Sequence, residues 1–162
     1  IKLFYPASCY AHKNHQLISK LAKDHFKKIE SLYLTIPKGK NPNPKIKSIK
    51  CIDAIDHNRV ASIYDEVDAL LFLSTEESYG LPLIEAMCFN LHIICPNLSY
   101  AKEICGEEAI YFENNDAYSL IESINILLKK ISKGRRPNWS SQLNKIERSW
   151  DMVATNFIDA FK

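Results

Sequence analysis

The chain has 162 residues, 46% hydrophobic and 25% charged, which suits one soluble globular domain with a real core. Its net charge of +2 excludes a nucleic-acid or anionic-membrane partner held by a global field, so a bound anion needs a local arrangement. No apolar run approaches the ~18 residues of a membrane span, the opening IKLFYPAS lacks the features of a signal peptide, and five cysteines without a CxxC pair read as free, mostly buried, cytosolic thiols.

Ile1–Ala7 is an apolar run without helical period and reads as a strand. A start inside a strand suggests that an N-terminal part precedes it. Asn14–Ile29 places Leu17, Ile18, Leu21, Ala22 and Phe26 on one face, which predicts an amphipathic helix. Ser31–Ile36 is a second strand, and PKGKNPNPK (37–45) is a surface loop. Ile46–Ile52 alternates as a strand does, and His57–Val67 reads as a helix. Ala69–Leu73 (ALLFL) is unbroken and apolar, as expected of a strand covered on both faces.

The stretch EESYGLPLIEAM follows and leads into a helix ending near Phe89, with Asn90 suited to a left-handed cap. His92–Cys95 is a strand closed by Pro96, Tyr100–Cys105 a short helix stopped by Gly106, and Ala109–Phe112 a last strand. Asp116 caps a helix to about Lys133, with Ile121, Ile124, Leu127, Leu128 and Ile131 inward. Lys133–Pro137 is a turn, and a helical tail from about Trp139 carries Trp150, Val153, Phe157 and Phe161.

Strands alternate with helices throughout, which predicts an α/β fold: a Rossmann-like parallel sheet with helices on both faces. Ligands of such sheets sit at the carboxyl ends of the strands. Two loops therefore matter most, Ser8–Lys13 after the first strand and Ser74–Gly80 after ALLFL.

Gly80 lies between strand and helix, and Pro82 fits the first helical turn, where its missing N–H costs nothing. The N–H groups of Gly80 and Leu81 then point out of a helix start that favours an anion such as phosphate. Glu85, about one turn in, leans back towards that start and can accept hydrogen bonds from a vicinal diol such as ribose. Glu77, before the turn, meets what hangs off the far end of the phosphates. That order describes a nucleotide-sugar. The plainer alternative is that acids near a helix start only stabilise the helix through its dipole. Lys13 closes the first loop, where it either neutralises a diphosphate or is solvated surface. His12 and His15 have no metal-ligand spacing, so no metal is assigned.

Glu77-Ser78-Tyr79-Gly80-Leu81-Pro82-Leu83-Ile84-Glu85-Ala86-Met87 resembles the acid–seven residues–acid signature of retaining glycosyltransferases with two Rossmann-like domains, the GT-B fold of glycosyltransferase family 4 type. Tyr64–Ser74 resembles the helix and strand before that signature, Ala101–Phe112 the stretch after it, and Ser8–His15 an H-K-N loop of some members. The resemblance covers nearly the whole chain as the C-terminal, donor-binding half. It implies that residues 1–162 form one nucleotide-sugar donor domain, lacking the N-terminal acceptor domain and inactive alone.

It also implies roles. Glu85 holds the ribose, Glu77 contacts the sugar near the reacting carbon, and Gly80, Leu81, Ser78, Tyr79 and Lys13 bind the donor, with Lys13 also stabilising the departing diphosphate. The Asp53–His57 loop lies near the base. No cofactor or bound metal is expected, the nucleoside-diphosphate sugar being substrate. The partners expected are that donor and a sugar or lipid-linked acceptor, with no nucleic acid. The implied place is the cytoplasm, with the full-length protein at the inner membrane face. One departure stands out: no Arg precedes Lys13, where many members have one, and Ser8 or Tyr10 occupies that neighbourhood. The alternatives are a nucleotide-sugar epimerase of the same architecture, or a non-catalytic nucleotide- or sugar-binding module, which the acid pair disfavours.

Overall fold

The computed structural model describes residues 1–146. Six strands form one sheet: β1 (Lys2–Tyr5), β2 (Ser31–Leu34), β3 (Ile49–Cys51), β4 (Ala69–Leu71), β5 (His92–Pro96) and β6 (Ile110–Phe112). Their spatial order is β3-β2-β1-β4-β5-β6, and every pairing is parallel. Six helices accompany them: α1 (Gln16–Ser19), α2 (His57–Glu66), α3 (Leu81–Cys88), α4 (Ser99–Cys105), α5 (Ala117–Ser132) and α6 (Ser140–Leu143). This is the Rossmann-like α/β architecture that the alternation predicts.

The order of strands follows from what each can bury. All residues of β4 and β5 are buried, and both strands lie inside the sheet with neighbours on either side. A strand buried on both faces needs a near-continuous apolar run, which ALL supplies and HIICP supplies beyond His92, whose buried ring pairs with the Arg135 carbonyl at 3.0 Å. β3, with Lys50 exposed, sits at one edge. Chain direction across the sheet reverses between β1 and β4, where register pairs Leu3 with Ala69 and Phe4 with Leu70. The loops leaving those two strands meet at their carboxyl ends, the edge where ligands of such sheets bind.

Caps close the helices where the sequence calls for them. The Asp116 carboxylate accepts from the N–H groups of Tyr118 and Ser119 at 2.8 and 3.1 Å. Asp56 does the same for α2, accepting from the Arg59 N–H at 2.8 Å. Asn90 takes the left-handed conformation after α3, with φ 55°. Of the cysteines, Cys51, Cys95 and Cys105 are buried and Cys9 and Cys88 exposed, and all five are free.

The predicted helix over 14–29 is not one helix. α1 covers only Gln16–Ser19, Ala22 turns extended (ψ 157°), and a separate 3-10 turn runs Lys23–Phe26. Most of the apolar spacing is honoured nonetheless: Leu17, Ile18, Leu21 and Phe26 are buried, whereas Ala22, expected on the same face, is exposed. Two side chains, one local and one distant in sequence, break the helix. The His25 imidazole accepts the Ala22 N–H at 3.0 Å, and Asn43 donates to the Leu21 carbonyl at 3.1 Å. These side chains replace the bonds a continuous helix would make. Most strands are also shorter than expected, β4 ending at Leu71 although Phe72 and Leu73 remain fully buried, whereas β5 runs on through Pro96. Trp139 completes the core: it is 2% exposed, and its indole N–H donates to the Leu91 carbonyl at 2.8 Å. The predicted tail positions Trp150, Val153, Phe157 and Phe161 lie outside the described residues.

Candidate functional site

The two loops singled out in the sequence meet at the crevice between β1 and β4. After β1 the chain makes a 3-10 turn, Ala11–Lys13, and leaves it through Asn14 at φ 51°. The His12 carbonyl accepts the Thr75 N–H at 2.7 Å, the Thr75 hydroxyl at 3.2 Å and the Ser74 hydroxyl at 3.3 Å. Tyr5, wholly buried in β1, donates its hydroxyl to the Lys13 carbonyl at 2.8 Å. On the other side the Tyr100 hydroxyl of α4 donates to the Ser74 carbonyl at 2.5 Å. Both loops are thus fixed to the sheet and to each other.

This docking sets the principal charges of the site. The Lys13 ammonium donates to Glu77 Oε1 at 2.5 Å, with the two side chains only 17% and 11% exposed. Sequence reasoning assigned Lys13 to a diphosphate and Glu77 to a sugar, and missed that they touch each other. The ammonium carries three donors, so one bond to Glu77 leaves two for phosphate oxygens. Removing either partner leaves the other charge half-shielded from water and uncompensated.

Gly80 is the residue before α3, at φ 68°. A Cβ there would lie 2.7 Å from Ile104 Cδ1 and 3.3 Å from Leu83 Cδ1. Sequence reasoning gave this glycine to ligand clearance. The structure adds a demand of the fold itself, a left-handed residue whose Cβ would also push the end of the Ile104 side chain aside. Gly80→Ala is expected to lower stability by at least the ~1–2 kcal/mol of left-handed backbone, read as an earlier urea midpoint at constant slope. Pro82 sits in the first turn of α3, as predicted. Among the described residues no carbonyl accepts from the Gly80 or Leu81 N–H groups, so both are available at a helix start that attracts anions.

The start of α3 separates two clefts. One, of about 340 Å³, is walled by Ser8, Thr35, Ile55, His57, Leu81 and Glu85. It joins the β1 loop, the end of β2, the loop into α2 and the acid on α3, so Glu85 and the 53–57 loop do come together. The other, of about 430 Å³, is walled by Glu77, Ser78, Tyr79, Tyr100, Glu103 and Lys145. Glu77 and Glu85 therefore face different spaces. Tyr79 and Leu81 are exposed at the mouths.

Two tyrosines escaped the sequence reading. Tyr100 anchors the β4–α3 loop as described. Tyr64 on α2, 1% exposed, donates its hydroxyl to Glu85 Oε2 at 3.0 Å. Burial above all, and then the adjacent Glu85 carboxylate, push its phenol far above the ordinary tyrosine range. In the sequence Tyr64 is one apolar position on a helical face, and nothing in its spacing marks it as a partner of Glu85.

The fold is shared with solved structures of GT-B glycosyltransferases. The catalytic domain of cholesterol-alpha-glucosyltransferase from Helicobacter pylori aligns over 97% of this chain and 98% of its own, with TM-score 0.68 and 17% identity. Anabaena HepE in complex with UDP and glucose aligns over 82% of this chain and 40% of its own, with TM-score 0.67 and 14% identity. In sequence, the Escherichia coli serotype-specific mannosyltransferase WbdA is 30% identical over 98 residues, 57% of this chain. The chain matches 12% of that relative's length. The family of glycosyl transferases group 1 matches residues 1–142, and the chain belongs to it.

Proposed function

We propose that this chain is the donor-binding part of a retaining glycosyltransferase that takes a sugar from a nucleoside-diphosphate sugar for polysaccharide or glycolipid synthesis in the cytoplasm. The observation that carries the reading is the pair of clefts flanking the start of α3, with Glu85 in the wall of one and Glu77 in the wall of the other. A donor spanning this helix start would place its nucleoside in the cleft of Glu85 and His57. Its diphosphate would lie on the Gly80 and Leu81 N–H groups beside Lys13, and its sugar on the side of Glu77, Ser78 and Tyr79. The name of the HepE complex, with UDP and glucose, supports a nucleotide-sugar, and the name of WbdA, a mannosyltransferase, supports mannose among the candidate sugars.

Chemically, the arrangement suits stabilisation of a leaving group. Negative charge grows on the diphosphate as the sugar departs. A helix start with roughly half a positive charge, together with a fixed ammonium, opposes it without reorganising. Lys13 and the α3 start thus serve in place of a bound metal in this reading. Turnover itself calls for an acceptor, which a separate acceptor domain would hold.

A thermal-shift panel of uridine, guanosine and adenosine diphosphates and their sugars tests the reading. At a concentration of 100 dissociation constants the bound nucleotide should add about 2.7 kcal/mol of stability. No shift with any of them would sink donor binding. Glu85→Ala is expected to weaken the nucleotide that does bind by roughly 1.5–3 kcal/mol, the range for hydrogen bonds to a charged group, as measured by titration calorimetry.

A further inference from the structure

We infer that Tyr64 is a positioning residue that holds the Glu85 carboxylate ready for a vicinal diol in the neighbouring cleft. The inference rests on the donor-binding reading above and adds a group that never touches the ligand. Glu85 is half-buried on α3, and a glutamate without a partner samples several rotamers, each of which aims its oxygens differently. The Tyr64 hydroxyl donates to Oε2 at 3.0 Å. Among the described residues Oε1 has no hydrogen-bond partner, so one oxygen is tethered while the other stays open to the cleft.

The tether is itself rigid. The Tyr64 ring meets Phe4 edge-on at 5.2 Å and stacks on Phe89 at 5.3 Å. Its hydroxyl has one alternative acceptor, the Pro82 carbonyl at 3.4 Å, which is the longer contact. Because burial and the Glu85 charge keep the phenol protonated, it stays a donor across the neutral range. The same helix supplies His57 and Val60 to the cleft wall. One element therefore shapes the space for the nucleoside and aims the acid that would hold its diol.

The test is Tyr64→Phe, which keeps the ring between Phe4 and Phe89 and removes only the hydroxyl. A melting curve first checks that the variant folds. Calorimetry with uridine, guanosine and adenosine diphosphates and their 2′,3′-dideoxy forms then gives the readout. The expected result is about tenfold weaker binding of the nucleotide that the parent chain prefers, with affinity for its dideoxy form unchanged. In a Glu85→Ala background the same change should cost nothing further. Equal losses for both forms would show a general packing effect and overturn the positioning role, as would no loss for either. A Tyr64→Phe loss that persists in full without Glu85 would also overturn it. If Glu85→Ala binds like the parent chain, the donor reading at this residue fails first. If Glu85→Ala is weakened and Tyr64→Phe is not, only the role of Tyr64 falls.

Discussion

On the proposed donor-binding reading, Lys13→Ala is expected to weaken the binding of a nucleoside diphosphate by about 2–5 kcal/mol, the usual cost of truncating one partner of a shielded charge pair. That is a loss of about 30-fold to several thousand-fold in affinity. Two effects add. The diphosphate loses its fixed ammonium, and Glu77, 11% exposed, becomes an uncompensated negative charge beside it. The second effect makes the prediction specific. Glu77→Ala alone leaves nucleoside diphosphate affinity equal to or tighter than the parent chain, because it frees the third donor of Lys13. The double variant Lys13→Ala/Glu77→Ala recovers a large share of the single loss. Calorimetry on the four proteins closes the cycle. A double variant no better than Lys13→Ala would show that the pair in the structure does not govern anion affinity.

Trp139→Ala removes about 3–5 kcal/mol of folding stability, as deletions of large buried aromatics do. The indole is 2% exposed, and the Leu91 carbonyl accepts its N–H at 2.8 Å in buried surroundings. The substitution therefore opens a cavity and orphans an acceptor between α3 and β5. Trp139→Phe separates the two contributions: it fills part of the space and costs chiefly the lost hydrogen bond, about 1–3 kcal/mol. Urea denaturation reads both. A Trp139→Ala midpoint within error of the parent would mean that the segment after α5 is not part of the cooperative core.

The sheet was legible because its centre is unusual in composition. ALLFL and HIIC admit no polar face, and only interior parallel strands tolerate that. The cap residues Asp116 and Asn90 could be read because each acts on its immediate neighbours. The 14–29 region was misread for a physical reason. Apolar spacing reports which residues turn inward, and two short turns satisfy it as well as one helix. The bond that decides between them runs from Ala22 to an imidazole that helix periodicity ignores.

The site was legible in its residues and not in its contacts. Glu77, Gly80 and Glu85 stand close together in the chain, so a local motif exposes them. Lys13 and Glu77 lie 64 positions apart and meet only because β1 and β4 are neighbours at the reversal of the sheet. Tyr64 and Glu85 are 21 apart on different helices, and their contact depends on how α2 and α3 pack.

The triple acceptance at the His12 carbonyl reaches beyond local geometry. The turn of residues 11–13 and the segment of residues 74–75 are stitched at a single oxygen, so neither can be exchanged between relatives as an independent module. A graft of the first loop would carry Lys13 to a new height above the sheet, while Glu77 stayed on the second. Loop transplantation here would have to move both segments together, as one unit of two discontinuous pieces.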